Sequence, residues 1–401
     1  MSENETMTDL ERILALWREL EAAGVDYVLA TVVAVQGPSY RKPVALMLLT
    51  ADGRRAGTVS GGCLEAQVAS RAWWLTANGP TVQHYSTAED DGDRPFGSGC
   101  GGTVFLLLER RATAFSLLRA LEKAFDHRTP MVAATVLEGL QVGRRAFAFL
   151  HPPPTRDLEP SEEAPLNLAN QLQQLAQQAL DRHESIDSKI TFEGSTARAW
   201  ADYRPARPAL GIFGAGDDAQ PLVSLAKELG WFVSVADGRS HLTTRDRFSR
   251  ADRLAVLPIP SLPIKDLPDL SAEPSVIAFS FLQPHDAAVV MTHSFEQDSK
   301  ILACLFSLQT PPAYIGVLGP QRRTRELLEE AAHLLEFPSA AIANQAERWL
   351  AVLHAPTGLD LGAVSPETIA LSILAEIQKS RTSASALPLH TVRAAGITLA
   401  G

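Results

Sequence analysis

Cysteine is scarce: three residues in 401, too few for a disulfide framework and without the CxxC or Cys/His spacing of a zinc site. Cys63, Cys100 and Cys304 therefore read as thiols of a reducing compartment. Positive charge is also in deficit. Lys and Arg number 36 against 46 Asp and Glu, a formal charge of −10, which argues against a broad nucleic-acid-binding face but leaves room for a local basic patch. No run of about 18 uncharged apolar residues occurs, so no membrane span is expected. The acidic, polar start MSENETMTDL is unlike a signal peptide, and a cytoplasmic protein is expected. What remains is ordinary globular composition, 46% hydrophobic and 20% charged, over a length that accommodates two separate cores.

Hydrophobic periodicity divides the chain. TDLERILALWRELEAAG sets Thr8 and Glu11 in capping-box spacing, ends on Gly24, and aligns Leu10, Ile13, Leu14, Trp17 and Leu20 in one stripe, which specifies an amphipathic helix. YVLATVVAVQ (27–36), VALMLLT (44–50) and RAGTV read as strands, the last two hinged at Asp52-Gly53. CLEAQVASRAWWLTAN is helical up to Gly79-Pro80, TVFLLLE (103–109) is a strand, and a helix over about 112–125 leads to a hairpin of VAATVLEG and GRRAFAFL. The proline-rich acidic stretch HPPPTRDLEPSEEAP (151–165) and the glutamine-rich NLANQLQQLAQQALDRHES, poor in large apolar residues, read as an insertion over about 151–188, its helix a surface element or tether. KITFEGS returns as a strand, and YRPARP (203–208) reads as a linker. A mixed α+β domain is expected over 1–204.

From residue 209 the order becomes strand, glycine turn, helix, strand, which specifies a Rossmann-like, doubly wound parallel-sheet domain over 205–380, making the protein α/β overall. AAVVMTH and AYIGVLG are later strands, SPETIALSILAEIQ is a final helix capped by Ser365, and 381–401, rich in Ser and Ala, reads as a mobile tail. Gly214, Gly216 and Ala219 form a GxGxxA fingerprint between strand and helix, and Asp237 ends the next strand, where an acid holds ribose hydroxyls. Asp217 and Asp218 at the helix start disfavour a bare phosphate: either the ligand brings a cation or the two acids cap the helix. NAD(P) or another nucleotide is the expected ligand class. Arg322, Arg323 and Arg325 in RRTRE open another helix and present cations to a phosphate, or a solvated basic face. His293 stands at the carboxyl edge of the sheet, where such folds bind ligands.

Two of the thiols lie in glycine turns, SGGCLE (60–65) and GSGCGG (97–102). Cys63 begins a helix, a position that lowers a thiol pKa, and Gly61 and Gly62 remove side chains from its approach. Cys100 has Gly99, Gly101 and Gly102 around it. Each also fits a small residue in a tight turn; Cys304, in ILACLFSL, reads as core. GPSYRKP (37–43) is a third glycine-containing element, with Tyr40, Arg41 and Lys42 facing an anionic ligand or simply forming an exposed turn.

Taken together, GPSYRKP, GTVSGGCLE, GSGCGG, FGAGDDA, VVMTHS, YIGVLGPQRRT and HAPTGLDLGAVSPETIALSILAEI resemble the XdhC/CoxI family, the xanthine dehydrogenase accessory factors, over nearly the whole chain. The resemblance implies a chaperone without turnover of its own that binds molybdenum cofactor (molybdopterin), supports its sulfuration by a cysteine desulfurase and delivers it to a molybdenum hydroxylase apoenzyme, with a homodimer as the expected form. Carried over by position, it implies Cys63 and Cys100 as thiols facing the cofactor and its molybdenum, Tyr40, Arg41, Gly61, Gly62 and Gly101 around them, and Arg322 and Arg323 on a phosphate. The sequence departs from the pattern at Asp217, where a histidine is common, at Ser294, where an acid often follows and would orient His293, and in the 151–188 insertion. Two other classes stay open: an NAD(P)-dependent oxidoreductase using the glycine turn, Asp237 and His293 as acid, and a sulfurtransferase carrying a persulfide on Cys63 or Cys100.

Overall fold

The computed structural model describes residues 7–37, 40–62, 64–86, 102–151, 166–259, 279 and 281–394. It divides into two compact units, Met1–Arg207 and Pro208–Gly401.

The first unit opens with α1 (Asp9–Ala23), whose ends follow from its sequence: Thr8 and Glu11 make both bonds of the capping box, and Gly24 closes the helix in the left-handed conformation. The strands β1 (Tyr27–Gln36), β2 (Leu46–Thr50), β3 (Arg55–Gly57), β4 (Thr81–Ser86) and β5 (Thr103–Arg110) form an antiparallel sheet in the order β3-β2-β1-β5-β4. Both faces are covered. Tyr27 and Leu29 of β1 pack with Ile13, Leu14 and Leu20 of α1 and with Leu117 and Leu121, while Val28, Ala30 and Val32 pack with Val68 and Ala72 of α2 (Glu65–Leu75). Burial on both sides explains why β1 reads as an apolar run interrupted only by Thr31 before Gln36. The edge strand β4 carries no such run, since only Tyr85 of it is buried, and the periodicity of the sequence does not reveal it. Leu117 and Leu121 belong to α3 (Arg111–His127), which follows β5 directly.

A second antiparallel sheet is built from β6 (Met131–Glu138), β7 (Arg145–Phe149), β8 (Ile186–Phe192) and β9 (Ser195–Arg204), in the order β7-β6-β9-β8. Here the structure corrects an expectation. The glutamine-rich segment is no tether: it is α4 (Leu166–Arg182), whose Leu168, Leu172, Leu175, Ala176, Ala179 and Leu180 are buried against Val132, Ala134, Ile190 and Ala199 of the sheet. Alanines pass as weak apolar signal in a sequence, yet at helical spacing between leucines they let the helix lie close to the strands. The glutamines face outward and still contribute, Gln171 donating to the Thr191 carbonyl (2.9 Å) and Gln173 to that of Phe147 (3.1 Å). Of the presumed insertion, α4 thus contributes its leucine and alanine stripe to a core, with Ile186 packed against it, and 152–165 lie outside the described residues. A buried ion pair, Arg145 to Glu109 at 2.5 Å, ties β7 to β5.

In the second unit, β10 (Ala209–Phe213), β11 (Phe232–Asp237), β12 (Arg253–Val256), β13 (Ala287–Val290) and β14 (Tyr314–Val317) run parallel in the order β12-β11-β10-β13-β14. The helices α5 (Ala219–Glu228), α6 (Phe295–Ser307), α7 (Gln321–Leu334), α8 (Ser339–Leu350) and α9 (Pro366–Thr382) are divided between its faces. Leu210, Ile212 and Val289 pack with α5 and α9; Phe213, Ala288 and Val290 pack with α6, α7 and α8. This is a doubly wound sheet whose order reverses between β10 and β13. Cys304 lies in the second of these cores, where burial pushes its thiol pKa up to about 12. The motif HAPT runs beside β14, with His354 N–H bonded to the Ile315 carbonyl (3.0 Å) and Thr357 N–H to that of Val317 (3.1 Å). Glu376 of α9 secures it, accepting from Gly358 N–H (2.6 Å) and the Tyr314 hydroxyl (2.7 Å) and standing 2.9 Å from His354 Nδ1. The stretch expected as a mobile tail contains α10 (Leu389–Ala394), with Val392 buried.

Because Leu172 is buried in the core under α4, Leu172→Ala should lower the unfolding free energy by about 2–5 kcal/mol in urea titration. An unchanged midpoint would return α4 to the status of a tether.

Candidate functional site

In the first unit, the turn at residues 58–62 follows β3, and one carboxylate, from the first turn of α2, organises it and Leu64. Glu65, only 1% exposed, accepts the N–H groups of Ser60 (2.8 Å) and Val59 (3.2 Å) and the Ser60 hydroxyl (2.6 Å). Ser60 Oγ in turn accepts the N–H groups of Gly62 (3.2 Å) and Leu64 (3.1 Å). Burial acts upward on the Glu65 carboxyl, but these donors outweigh it and hold its pKa below the usual carboxylate range. Sequence reading passed over Glu65, although an acid in the first turn of a helix, directly after a glycine turn, is a signal of this kind of bond.

Tyr40 and Arg41 meet that turn. Gly61 lies beneath the Tyr40 ring: a Cβ built on it would stand 3.4 Å from Tyr40 Cγ, at ordinary contact distance. Arg41 pairs with Asp9 at 2.5 Å, donates to the Thr58 hydroxyl and holds its guanidinium 5.9 Å from the Tyr40 ring centre. Tyr40, Arg41, Gly61 and Gly62, scattered over the sequence, therefore form one surface. Cys63, Cys100 and Gly101 lie outside the described residues.

In the second unit, the glycine turn and the ends of β11 and β13 meet at the carboxyl edge of the sheet. Gly214, at φ +138°, passes so close to the end of β13 that a Cβ would stand 2.5 Å from the Met291 carbonyl oxygen. Asp237, expected to hold ribose hydroxyls, is instead engaged by the protein. It is 0% exposed and accepts from Ala215 N–H (2.7 Å) and from Arg239 through its N–H (2.8 Å), Nε (2.9 Å) and Nη2 (2.7 Å). A carboxylate offers about four lone-pair sites, and all are filled here. Burial, the largest influence, acts upward on this carboxyl; the Arg239 and Ala215 donors outweigh it and hold the pKa below its ordinary value.

The neighbouring acids do not cap α5 with their side chains. Asp217 pairs with Arg247 at 2.8 Å, and Asp218 folds back against the bare Cα of Gly216 and stands 2.9 Å from His293 Nε2. The orienting acid that Ser294 does not supply to His293 thus comes from the glycine turn, while Ser294 caps α6. The RRTRE arginines diverge. Arg323 bonds buried Asp298 (2.6 Å), which also receives the Thr292 N–H (3.2 Å) and hydroxyl (2.5 Å). Arg325 pairs with Glu347, and Arg322, 91% exposed, meets its helical neighbour Glu326 alone among the described residues. The structure therefore joins Gly214, Gly216, Asp237, His293 and Arg323 at one edge and leaves Arg322 in solvent. Among the described residues no group of three or more His, Cys, Asp or Glu could hold a metal ion, and no helix is long and apolar enough to cross a membrane.

The Asp237–Arg239 pair has a testable sign. A folded pKa below the unfolded one means that folding releases a proton, so the stabilisation is full above the ordinary carboxylate pKa of about 4 and is lost as pH falls through the lowered folded value. Arg239→Ala should lower the unfolding free energy by about 2 kcal/mol at neutral pH, allowing for solvent screening of the arginine, and by progressively less in acid. An equal loss at every pH, in urea titrations of both proteins, would show that the carboxylate is not what Arg239 stabilises.

Comparison with known proteins now places the chain. The XdhC Rossmann domain model matches residues 210–377, and that of the XdhC and CoxI family matches residues 20–86. A probable xanthine dehydrogenase subunit from Bacillus subtilis (strain 168) is 33% identical over 358 residues, 89% of this chain and 93% of its own. The molybdenum cofactor insertion chaperone PaoD of Escherichia coli (strain K12) is 32% identical over 139 residues, 32% of this chain and 40% of its own. The crystal structure of a xanthine dehydrogenase from Bacillus halodurans aligns with 96% of this chain and 100% of its own, with a TM-score of 0.64 and 27% identity. With both units matched and identity sustained over most of its length, the chain belongs to the XdhC and CoxI family.

Proposed function

We propose that the protein is an accessory factor that takes up molybdenum cofactor as its cargo and passes it to the apoenzyme of a xanthine-dehydrogenase-type molybdenum hydroxylase. The observation that carries this reading is the likeness to a molybdenum cofactor insertion chaperone, set beside that to a probable component of xanthine dehydrogenase. The first unit fits such a cargo. Its turn leaves Gly61 and Gly62 exposed, without side chains, next to an aromatic ring and a guanidinium, which suits a bulky ligand combining a flat pterin with anionic groups. The cargo supplies the redox metal and its sulfur ligands; the chain supplies the seat. Cys63 and Cys100, with Gly101, are assigned by their motifs as the thiols that meet the cofactor at its molybdenum, soft ligands suited to that contact. Sulfuration by a cysteine desulfurase and work as a homodimer belong to the same reading.

In the second unit, the saturated Asp237 weakens the case for an NAD(P) oxidoreductase, since it offers no acceptor to a ribose. His293 and Arg323 remain at the carboxyl edge as donors to a phosphate or nucleotide, with Arg322 at its solvent side.

The test is anaerobic purification from a host that makes the cofactor, with molybdenum and the fluorescent pterin released by oxidation measured per chain. Near-stoichiometric metal and pterin are expected, and both should fall in Cys63→Ala and Cys100→Ala. Absence of both, even after free cofactor is added, would overturn the carrier reading; labile sulfur without pterin would replace it with a sulfurtransferase.

A further inference from the structure

We infer that Tyr40 is a stacking platform: its ring, seated on Gly61, receives a planar nitrogen heterocycle on its exposed side. The inference rests on the carrier reading above, under which that heterocycle is the pterin of the cargo.

The geometry starts from the glycine. The position a Gly61 Cβ would occupy is 3.4 Å from Tyr40 Cγ, 3.5 Å from Cδ1 and 3.8 Å from Cδ2. An approach to Cγ within the ring plane is blocked by the tyrosine's own Cβ, so three adjacent ring carbons at nearly equal range mean that one face of the ring addresses Gly61. The residue remains 73% exposed, with the Arg41 guanidinium 5.9 Å from the ring centre, so most of the ring is left to solvent. An aromatic side chain left in water ordinarily gains by turning onto an apolar neighbour. Tyr40 instead rests against glycine backbone, with the Arg41 guanidinium as its cationic neighbour.

The support beneath the ring is stiff. The turn carrying Gly61 is bonded through Ser60 to buried Glu65, so its backbone is held by several hydrogen bonds rather than by glycine conformations alone. On the other side, Arg41 is anchored by Asp9 and Thr58, which fixes the chain next to Tyr40. A ring held at a defined angle loses little conformational entropy when a flat ligand settles on it. The hydroxyl of Tyr40 makes no hydrogen bond to the described residues, so the phenol tip is not what holds the ring in place. Flat heteroaromatic ligands are recognised through such faces, and removing the aromatic partner typically weakens binding about tenfold.

The experiment titrates the full chain with 6-hydroxymethylpterin, a soluble pterin without metal, dithiolene or phosphate, following quenching of its fluorescence. Tyr40→Phe should bind as the unaltered protein does. Tyr40→Leu should bind about tenfold more weakly at an unchanged unfolding temperature. Equal losses in Tyr40→Phe and Tyr40→Leu would assign binding to the hydroxyl, and undiminished binding by Tyr40→Leu would remove the platform; either result overturns the inference, as does an unaltered protein that fails to quench the pterin. Copurified molybdenum and pterin, measured in parallel, separate the two readings. If Tyr40→Leu retains them at the unaltered level, the platform fails while the carrier stands; if the unaltered protein lacks them, the carrier itself fails.

Discussion

Where a buried strand leaves its sheet, the following N–H groups lose their ladder partners and, away from water, must find another acceptor. In both units, buried or half-buried carboxylates meet that need. Glu65 gathers donors of the turn before α2. Asp237 receives the turn after β10 and the loop after β11, Asp298 receives the end of β13, and Glu376 holds the HAPT segment beside β14. Each bond is charge-assisted, and loss of the acceptor would leave these donors unsatisfied, so the four segments are tied to the elements that carry the carboxylates.

The same interactions decide what the two surfaces offer to a ligand. A carboxylate whose oxygens accept from main-chain donors and a guanidinium is engaged within the protein, so Asp237 fastens the turn after β10 to the loop after β11. Asp218, drawn to His293, lies against the bare Cα of Gly216, placing negative charge on the turn that in other Rossmann folds approaches a pyrophosphate. In the first unit, the acid is buried beneath the turn rather than displayed on it. What reaches solvent is glycine backbone, an aromatic face and an anchored cation, a surface suited to a large, flat, anionic cargo.

Much of the architecture was legible in the linear chain because it depends on neighbours in sequence. Thr8, Glu11 and Gly24 delimit α1 through bonds within a turn of helix, and Ser365 caps α9 in the same way. The GxGxxA turn, with a strand before it and a helix after, requires a parallel βαβ unit, since only bare Cα atoms allow the chain to pass so near the adjoining strand. The glutamine-rich segment misled because its apolar stripe is made of leucines spaced by alanines, whose contribution depends on how closely a sheet approaches. The edge strands β4 and β12 bury too little to leave a period in the sequence.

The sequence by itself determined the two-part α/β plan, the family, and the short motifs in which functional residues stand, since these follow from local periodicity, glycine conformation and motif spacing. Only the tertiary structure decided which residues meet: Tyr40 on Gly61, Glu65 beneath Ser60, Asp237 clasped by Arg239 and Ala215, Asp218 against His293, and Arg323 turned to Asp298 while Arg322 faces water. The reason is physical. A side chain's partner is chosen by the folding of distant strands onto one another, and a carboxylate reads the same in sequence whether its lone pairs are left open or already filled by the protein.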